Sequence, residues 1–555
     1  MMRNREVFAN DVVERPIPNG GVAQVVEPHT TEQWDVLRYE LETFVCAGEY
    51  QRGLDRILST YLANLGKPTQ PAAWVSGFYG SGKSHLVRML EILWRDAPLR
   101  DLASPRDIAR LPEDIRALLR ELSTVSRQYG GLWSAAGTLG ANMTGSVRLA
   151  LLSVVFQSAA LPTSYPQARF YLWLMRQEGM FDKFAKEVAR RGANLGVEMN
   201  DMYVSPYIAE SLLAVYPDIA ASAADARRLL REQYAEREEI SNDEMLATLR
   251  EVLRLKSTDP AKLPCTLVVL DELQQFIGTS GERSMEVQDI VEACSAQLGS
   301  TLLFVGTGQS SLHETEYLAK IQGRFAVQVA LSNADVERVV REVVLRKDPV
   351  RLPALNTVLD TVVGEIDKQL PNTRIGPIPA DAAILAADYP LLPSRQRFWE
   401  RALRTVDRTG VRGQLRSQLR VAHEAVRAVA DDPLGVVIGG DFLYDQVKTD
   451  MLNSNMLLKD EYVLIEEQRD GTDDGELRYR ACATVYLINK LLTDSGADTG
   501  VRATADTLAD LLVTDLTKGG TALRQRLPGL LDGLVQRQAL MRVGDQYRLQ
   551  TKEGA

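Results

Sequence analysis

From Thr31 onward the apolar positions Trp34, Leu37, Leu41 and Phe44 recur at helical spacing, and Arg52 to Leu65 repeats the pattern until Gly66-Lys67-Pro68 ends it. Upstream, the alternation in GGVAQVVE predicts a short strand before the polar break His29-Thr30-Thr31. Ala72–Ser76 is a short apolar run that enters a glycine-rich turn and then a helix, Ser84–Trp94. The stretch 130–140, containing GLWSAAGTLG, predicts a further sheet strand with its loop, and Ser146–Ala160 a long apolar helix. Residues 164–255 read as mainly helical inserted sequence, in which Ser241-Asn242-Asp243-Glu244 matches a capping box that starts a helix over 242–256. Cys265–Leu270 and Thr301–Val305 are apolar runs fit for strands covered on both faces.

A helical portion begins at 333–347 and runs to about 432. Helices over 480–492, 504–513 and 520–537 then precede Ala539–Val543, the turn Gly544-Asp545 and Gln546–Gln550, the element order of a winged helix-turn-helix. The fold class expected is α/β: a sheet core with a large helical insertion, a helical lid and a C-terminal winged helix. Its divisions fall at 1–70 (strand and helices leading into the core), 71–332 (core, with the insertion at about 164–255), 333–435 (lid) and 436–555 (winged helix).

Composition narrows this little. Hydrophobic residues at 45% and charged residues at 25% exclude a disordered or fibrous chain. A net charge of −10 means that any nucleic-acid contact must come from a local basic patch. Cys46, Cys265, Cys294 and Cys482 form no CxxC and the four histidines are scattered, so neither a disulfide framework nor a zinc site is indicated. The N-terminus lacks the apolar segment of a signal peptide, and no run of about eighteen apolar residues occurs, so a cytoplasmic protein with no membrane partner is expected.

The chemistry concentrates at Gly77–Ser84. GFYGSGKS fits G-x-x-x-x-G-K-[ST] at every fixed position, between a strand and a helix. Gly77, Gly80 and Gly82 let the backbone of the loop, with Phe78, Tyr79 and Ser81, turn its N–H groups toward a phosphate chain. Lys83 is expected at the β- and γ-phosphates of ATP and Ser84 on Mg²⁺. His85 follows in the first helical turn as the last residue of the cofactor-binding stretch, where packing is a simpler role than acid–base work. TLVVLDE delivers two carboxylates at a strand's C-terminal edge, Asp271 for Mg²⁺ and Glu272 to polarise the attacking water.

Other assignments leave two readings open. Thr307 and Gln309, after the strand Thr301–Val305, either sense the γ-phosphate or form a plain loop. Arg324 precedes a strand-like run and a helix, the place of an arginine finger acting on a neighbouring subunit, and equally that of a surface ion pair. Arg416 in the lid is a candidate to touch the phosphates. Around it Arg404, Arg408, Arg412 and Arg420 recur at four-residue intervals interrupted by Gly410 and Gly413. Residues 395–427 hold nine Arg against Glu400, Asp407 and Glu424, which is either a solvated helical face or a site for nucleotide or nucleic-acid phosphate.

Longer motifs carry a resemblance. VFANDVVERPIPNGGVAQV, WVSGFYGSGKSH, GLWSAAGTLG, YPQARFYLWL, VVLDELQQFIG, FVGTGQ, YPLLPSRQRFWE and YRLQTKEG together resemble the large P-loop ATPase of BREX bacteriophage-exclusion systems, the BrxC/PglY type. The resemblance implies an AAA+-like ATPase related to origin-recognition and initiator ATPases. It also implies a homo-oligomer acting with a DNA methyltransferase, a phosphatase-like protein and possible double-stranded DNA in host DNA modification and phage defence. The family's nucleotide residues fall on Gly77–Ser84, Asp271 and Glu272. Its members continue past the YRLQT segment, so a truncated or short variant is expected and the family's C-terminal functions are not carried over. Two function classes follow: an ATP-driven switch or motor on DNA or DNA-bound partners, or an ATP-gated scaffold with slow hydrolysis. A transcription regulator is the weaker third, because 501–555 holds eight Arg/Lys against six Asp/Glu.

Overall fold

The computed structural model describes residues 2–10, 13, 30–77, 81–139, 146–177, 179–309, 311–312, 316–407, 414–492, 498–518 and 520–550. The strand expected in GGVAQVVE lies outside them. The chain is mostly helical around a parallel sheet, and it divides into two compact units, Ala23–Asp335 and Met1–Val22 with Val336–Ala555.

The first unit holds five strands: β1 (Ala73–Ser76), β2 (Leu132–Thr138), β3 (Cys265–Asp271), β4 (Leu302–Gly308) and β5 (Val327–Ala330). They are all parallel, in the order β2-β3-β4-β1-β5. Every residue of β1, β3 and β4 is buried, as befits strands covered on both faces. Two helices precede the sheet, α1 (Thr31–Glu42) and α2 (Glu49–Asn64), and α3 (Lys83–Arg95) follows β1. Thr30 starts α1 by accepting the Gln33 amide while the Gln33 side chain returns to the Thr30 N–H.

The helix Val147–Ser158 begins on the Ser146 hydroxyl and is apolar on nearly all sides because it is enclosed. The inserted helices, among them Tyr165–Arg176, Pro206–Val215 and Asn242–Lys256, share one hydrophobic core with β3, Val147–Phe156 and Trp74. The insertion is therefore built into the sheet unit rather than hung from it. Ser241 and Glu244 form the capping box at the start of Asn242–Lys256.

The second unit gathers residues from both ends of the chain. Of the stretch 1–70 expected to lead into the sheet, residues 31–65 do so, whereas the start of the chain packs with the C-terminal half. Asn4 is fully buried there, and its side-chain amide donates to the Val429 and Val436 carbonyls at 3.0 Å each. A buried amide satisfied this way is expensive to leave unpaired, which fixes the segment to this unit.

The expected division at 435 between a lid and a winged helix is not a boundary between cores. One hydrophobic cluster runs from Val340 through Phe398 and Leu443 to Leu540 and Tyr547. Across that division lie the helices Asp473–Tyr486, Ala505–Leu512 and Gly520–Gln536 and the antiparallel hairpin β6 (Leu540–Val543) and β7 (Gln546–Leu549).

Arg395 shows why the two parts merge. It is fully buried on the helix Pro393–Asp407, and its guanidinium donates to the carbonyls of Ile438, of Asp510 at 3.0 Å and of Val513 at 2.6 Å. Arg397 is bidentate to Asp381 at 2.8 Å per bond. Two of the nine arginines in the basic run are thus internal fasteners rather than members of a solvated face. Arg395→Met should lower the urea stability of the chain by about 3 kcal/mol or more, because each buried carbonyl left unpaired costs roughly 1–3 kcal/mol. An unchanged urea midpoint would mean that these carbonyls find other donors. Among the described residues no helix is long and apolar enough to cross a membrane.

Candidate functional site

β1 ends at Ser76 and delivers Gly77 into the loop. A Cβ on Gly77 would stand 2.4 Å from the Ser81 hydroxyl and 3.2 Å from the Leu331 Cβ, so only glycine permits this close return of the chain. Phe78, Tyr79 and Gly80 lie outside the described residues. Ser81 is fully buried, and its hydroxyl has no hydrogen-bond partner among the described residues. Gly82 has φ +87°, a left-handed conformation that turns the backbone into α3. Lys83 is the first residue of that helix, whose positive end therefore meets the loop.

The Lys83 ammonium is buried and donates to the Gly77 carbonyl at 2.8 Å. Burial holds its pKa below the ordinary lysine value, opposed by the nearby carboxylates of Glu272 and Asp271. Ser84 follows in the first turn. His85 packs edge-on against Phe44 with ring centroids 5.7 Å apart.

The carboxylates come from β3. β4 lies between β1 and β3, and its register sets Leu270 opposite Gly306, so Asp271 ends level with Thr307. The Thr307 hydroxyl donates to Asp271 Oδ1 at 2.7 Å and accepts the Glu272 backbone N–H at 2.8 Å. One side chain thus fixes both acidic residues. Asp271 is buried, with 2% of its surface exposed. Glu272 has φ +58°, a costly conformation for a residue with a Cβ, and the Thr307 bond helps to hold it. Its Oε2 is buried without a hydrogen-bond partner among the described residues. Burial and the Asp271 charge push the Glu272 carboxyl above its ordinary value, while Lys83 and a bond from Gln275 act the other way.

The structure therefore brings together Gly77, Ser81, Gly82, Lys83, Asp271, Glu272 and Thr307. Gln309, directly after β4, is exposed. Arg324 enters the sheet at the other edge: its carbonyl accepts the Ala72 N–H at 2.9 Å, where β1 begins, and its guanidinium pairs with Glu292 at 2.6 Å. Its backbone contact lies where β1 and β5 begin, at the opposite end of the strands from the loop. Arg416 lies on the helix Gln414–Ala428 of the second unit, with its side chain outside the described set, as is that of Arg404. Arg408 and Arg412 lie outside the described residues altogether. Arg420 is exposed.

Tyr50 on α2 joins the site without a sequence signal of its own. Its hydroxyl donates to the Ser81 carbonyl at 2.8 Å. A tyrosine in an apolar helical stripe looks like any other core residue, and only the fold shows where its hydroxyl ends.

No group of three or more His, Cys, Asp or Glu is placed to hold a metal alone among the described residues. The Ser84 hydroxyl and the Asp271 carboxylate suit Mg²⁺, which takes few protein oxygens and completes its shell with water and substrate phosphate. The unpartnered Ser81 and Glu272 oxygens and the tight turn at Gly77 fit a phosphate-bearing substrate with that ion.

No family model matches the chain. Among solved structures it is similar to the Orc1 protein of Aeropyrum pernix determined in complex with DNA, at 11% identity and a TM-score of 0.30, over 93% of this chain and 94% of that one. The fold and the site together define an α/β chain with a phosphate-loop motif facing a pair of carboxylates.

Proposed function

We propose that the chain is an Mg²⁺-dependent, AAA+-type P-loop ATPase of a BREX bacteriophage-defence and DNA-modification system, working as a homo-oligomeric switch or motor on DNA or DNA-bound partners. The observation that carries the ATPase reading is the Glu272 carboxylate, whose Oε2 is buried with no hydrogen-bond partner among the described residues, within the electrostatic reach of Lys83 on a backbone that Thr307 holds. The defence-system role rests on the sequence resemblance.

In this reading the loop amides and the positive end of α3 bind the phosphate chain of ATP, and Lys83 leaves the Gly77 carbonyl to neutralise the terminal phosphates. Ser84 and Asp271 would hold Mg²⁺, which when bound would offset charge on the phosphates. Glu272 accepts a hydrogen bond from a water, turns its lone pair toward the γ-phosphorus and takes up its proton. A raised carboxyl pKa makes that proton transfer more favourable than it would be to an ordinary glutamate. Thr307 keeps the metal carboxylate and the base in register.

Arg324, at the opposite edge of its own sheet, would serve the nucleotide of another subunit and exchange its pairing with Glu292 for phosphate. The helices Ala505–Leu512 and Gly520–Gln536 with the β6-β7 hairpin would form the winged helix that meets DNA or a DNA-bound protein.

The test is steady-state ATP hydrolysis by the full chain over a range of protein concentrations, with and without duplex DNA. The expected result is a specific activity that rises as subunits assemble and rises again with DNA. Slow turnover that DNA leaves unaltered, together with ATP-dependent assembly, would replace the motor by an ATP-gated scaffold. Absence of ATP binding would overturn both.

A further inference from the structure

Resting on the nucleotide-site reading, we infer that Tyr50 is a positioning residue for phosphate binding: by fastening the Ser81 carbonyl behind the loop, it turns the Gly82 N–H into the concave side where a phosphate sits. In a trans peptide the carbonyl oxygen and the amide hydrogen point in opposite directions. The Ser81 carbonyl and the Gly82 N–H belong to one peptide plane. Because the carbonyl accepts the Tyr50 hydroxyl at 2.8 Å, on the side of α2, the N–H is directed away from α2. Gly82, at φ +87°, has no Cβ to hold that plane, so a rotation of the peptide would be inexpensive without an outside anchor.

The anchor is itself firmly seated. Tyr50 is 1% exposed, and Phe44 packs edge-on against its ring at 6.3 Å. The neighbouring Glu49 N–H, at the start of α2, donates to Asp335 Oδ1 at 2.9 Å, which pins the end of the helix that carries Tyr50. Asp335 also accepts the Ser332 amide at 3.0 Å and the Ser332 hydroxyl at 2.7 Å, so its position is fixed from a second direction. The loop thus has one wall supplied by a residue 31 positions upstream.

Tyr61 provides the comparison that separates positioning from general stability. It lies on the same helix, is fully buried, and donates its hydroxyl to a backbone carbonyl, that of Thr301 at 2.9 Å, on a different part of the sheet unit. Tyr50→Phe and Tyr61→Phe each remove one buried hydroxyl–carbonyl bond from α2. Only the first frees a loop peptide.

ATP hydrolysis and the binding of a fluorescent ATP analogue, both with Mg²⁺, should be compared in the full chain for wild type, Tyr50→Phe, Tyr61→Phe and a chain with para-aminophenylalanine at position 50. Tyr50→Phe should raise KM and Kd about tenfold, the effect of losing one well-placed hydrogen bond, with kcat within about twofold because the amide is used equally in the ground and transition states. Tyr61→Phe should leave KM unchanged. Para-aminophenylalanine, which restores an N–H donor at the same place, should return KM to within about threefold of wild type; it also reports on the bond if Tyr50→Phe is too unstable to assay. Wild-type affinity in Tyr50→Phe, an equal loss in Tyr61→Phe, or no recovery with the amine would each overturn the inference. A wild-type chain that fails to bind ATP would instead overturn the nucleotide-site reading beneath it.

Discussion

Lys83→Ala should weaken ATP binding by about 10²–10³-fold, the scale of removing one partner from a buried charge pair, while the chain stays folded. In the unliganded site the ammonium donates to the Gly77 carbonyl and faces Glu272 and Asp271, while its burial opposes its own charge. Its loss should therefore change the unliganded unfolding free energy by no more than about 3 kcal/mol, the upper cost of one carbonyl left without its donor. The Glu272 carboxyl, which Lys83 draws down, should rise further when that charge is gone. Isothermal titration with ATP and Mg²⁺, beside a urea melt without nucleotide, reads both quantities. Wild-type affinity would remove Gly77–Ser84 as the phosphate site. A collapsed melt would show that Lys83 holds the fold rather than the substrate.

The contrast between this lysine and the arginines of the second unit shows what a sequence can carry. The phosphate loop is legible because its chemistry is local: the turn, the lysine and the helix start lie within eight consecutive positions between an apolar strand and an amphipathic helix. The capping box at Ser241 and Glu244 is legible for the same reason. Asp271 and Glu272 stand out because strand ends carry charge at predictable places, yet their tie to Thr307 spans 35 and 36 positions and depends on β4 lying beside β3. Nothing in either strand alone states that adjacency.

Arg395 fails as a member of a basic face for the opposite reason. A guanidinium in an arginine-rich run looks solvated until three distant carbonyls converge on it. The helix Glu113–Ser126 lies in a stretch for which no element is assigned above, although Ile115, Leu119 and Leu122 mark its buried stripe at helical spacing. Tyr50 carries no signal beyond its place in such a stripe, because the partner of its hydroxyl is a backbone carbonyl, and any residue type has one.

Glu272→Gln should lower kcat by about 10²–10⁴-fold, the usual contribution of a positioned general base, with ATP affinity within about threefold of wild type. The amide keeps the shape of the side chain but cannot take the proton. Asp271 retains its charge and its Thr307 bond, so the proposed metal site survives. Because the Glu272 carboxyl is raised, kcat of the wild type should begin to fall at a higher pH than for an ordinary glutamate, and this acid limb should vanish in the variant's residual activity. The same shift has a sign for stability. A carboxyl that holds its proton more tightly in the folded chain than in the unfolded one costs the fold stability as pH rises from the ordinary glutamate range through the raised value, and the full cost remains above it. Glutamine carries no such charge, so the unliganded variant should melt at a higher temperature than wild type at neutral pH and lose that advantage as the pH is lowered. The neutral-pH gain would mark Glu272 as a residue kept for chemistry against the interest of the fold. A variant that lost ATP affinity and turnover together would exchange the roles of Asp271 and Glu272, making Glu272 the metal carboxylate. One that melted lower than wild type would show that the strained φ of +58° depends on the ionised side chain rather than on Thr307.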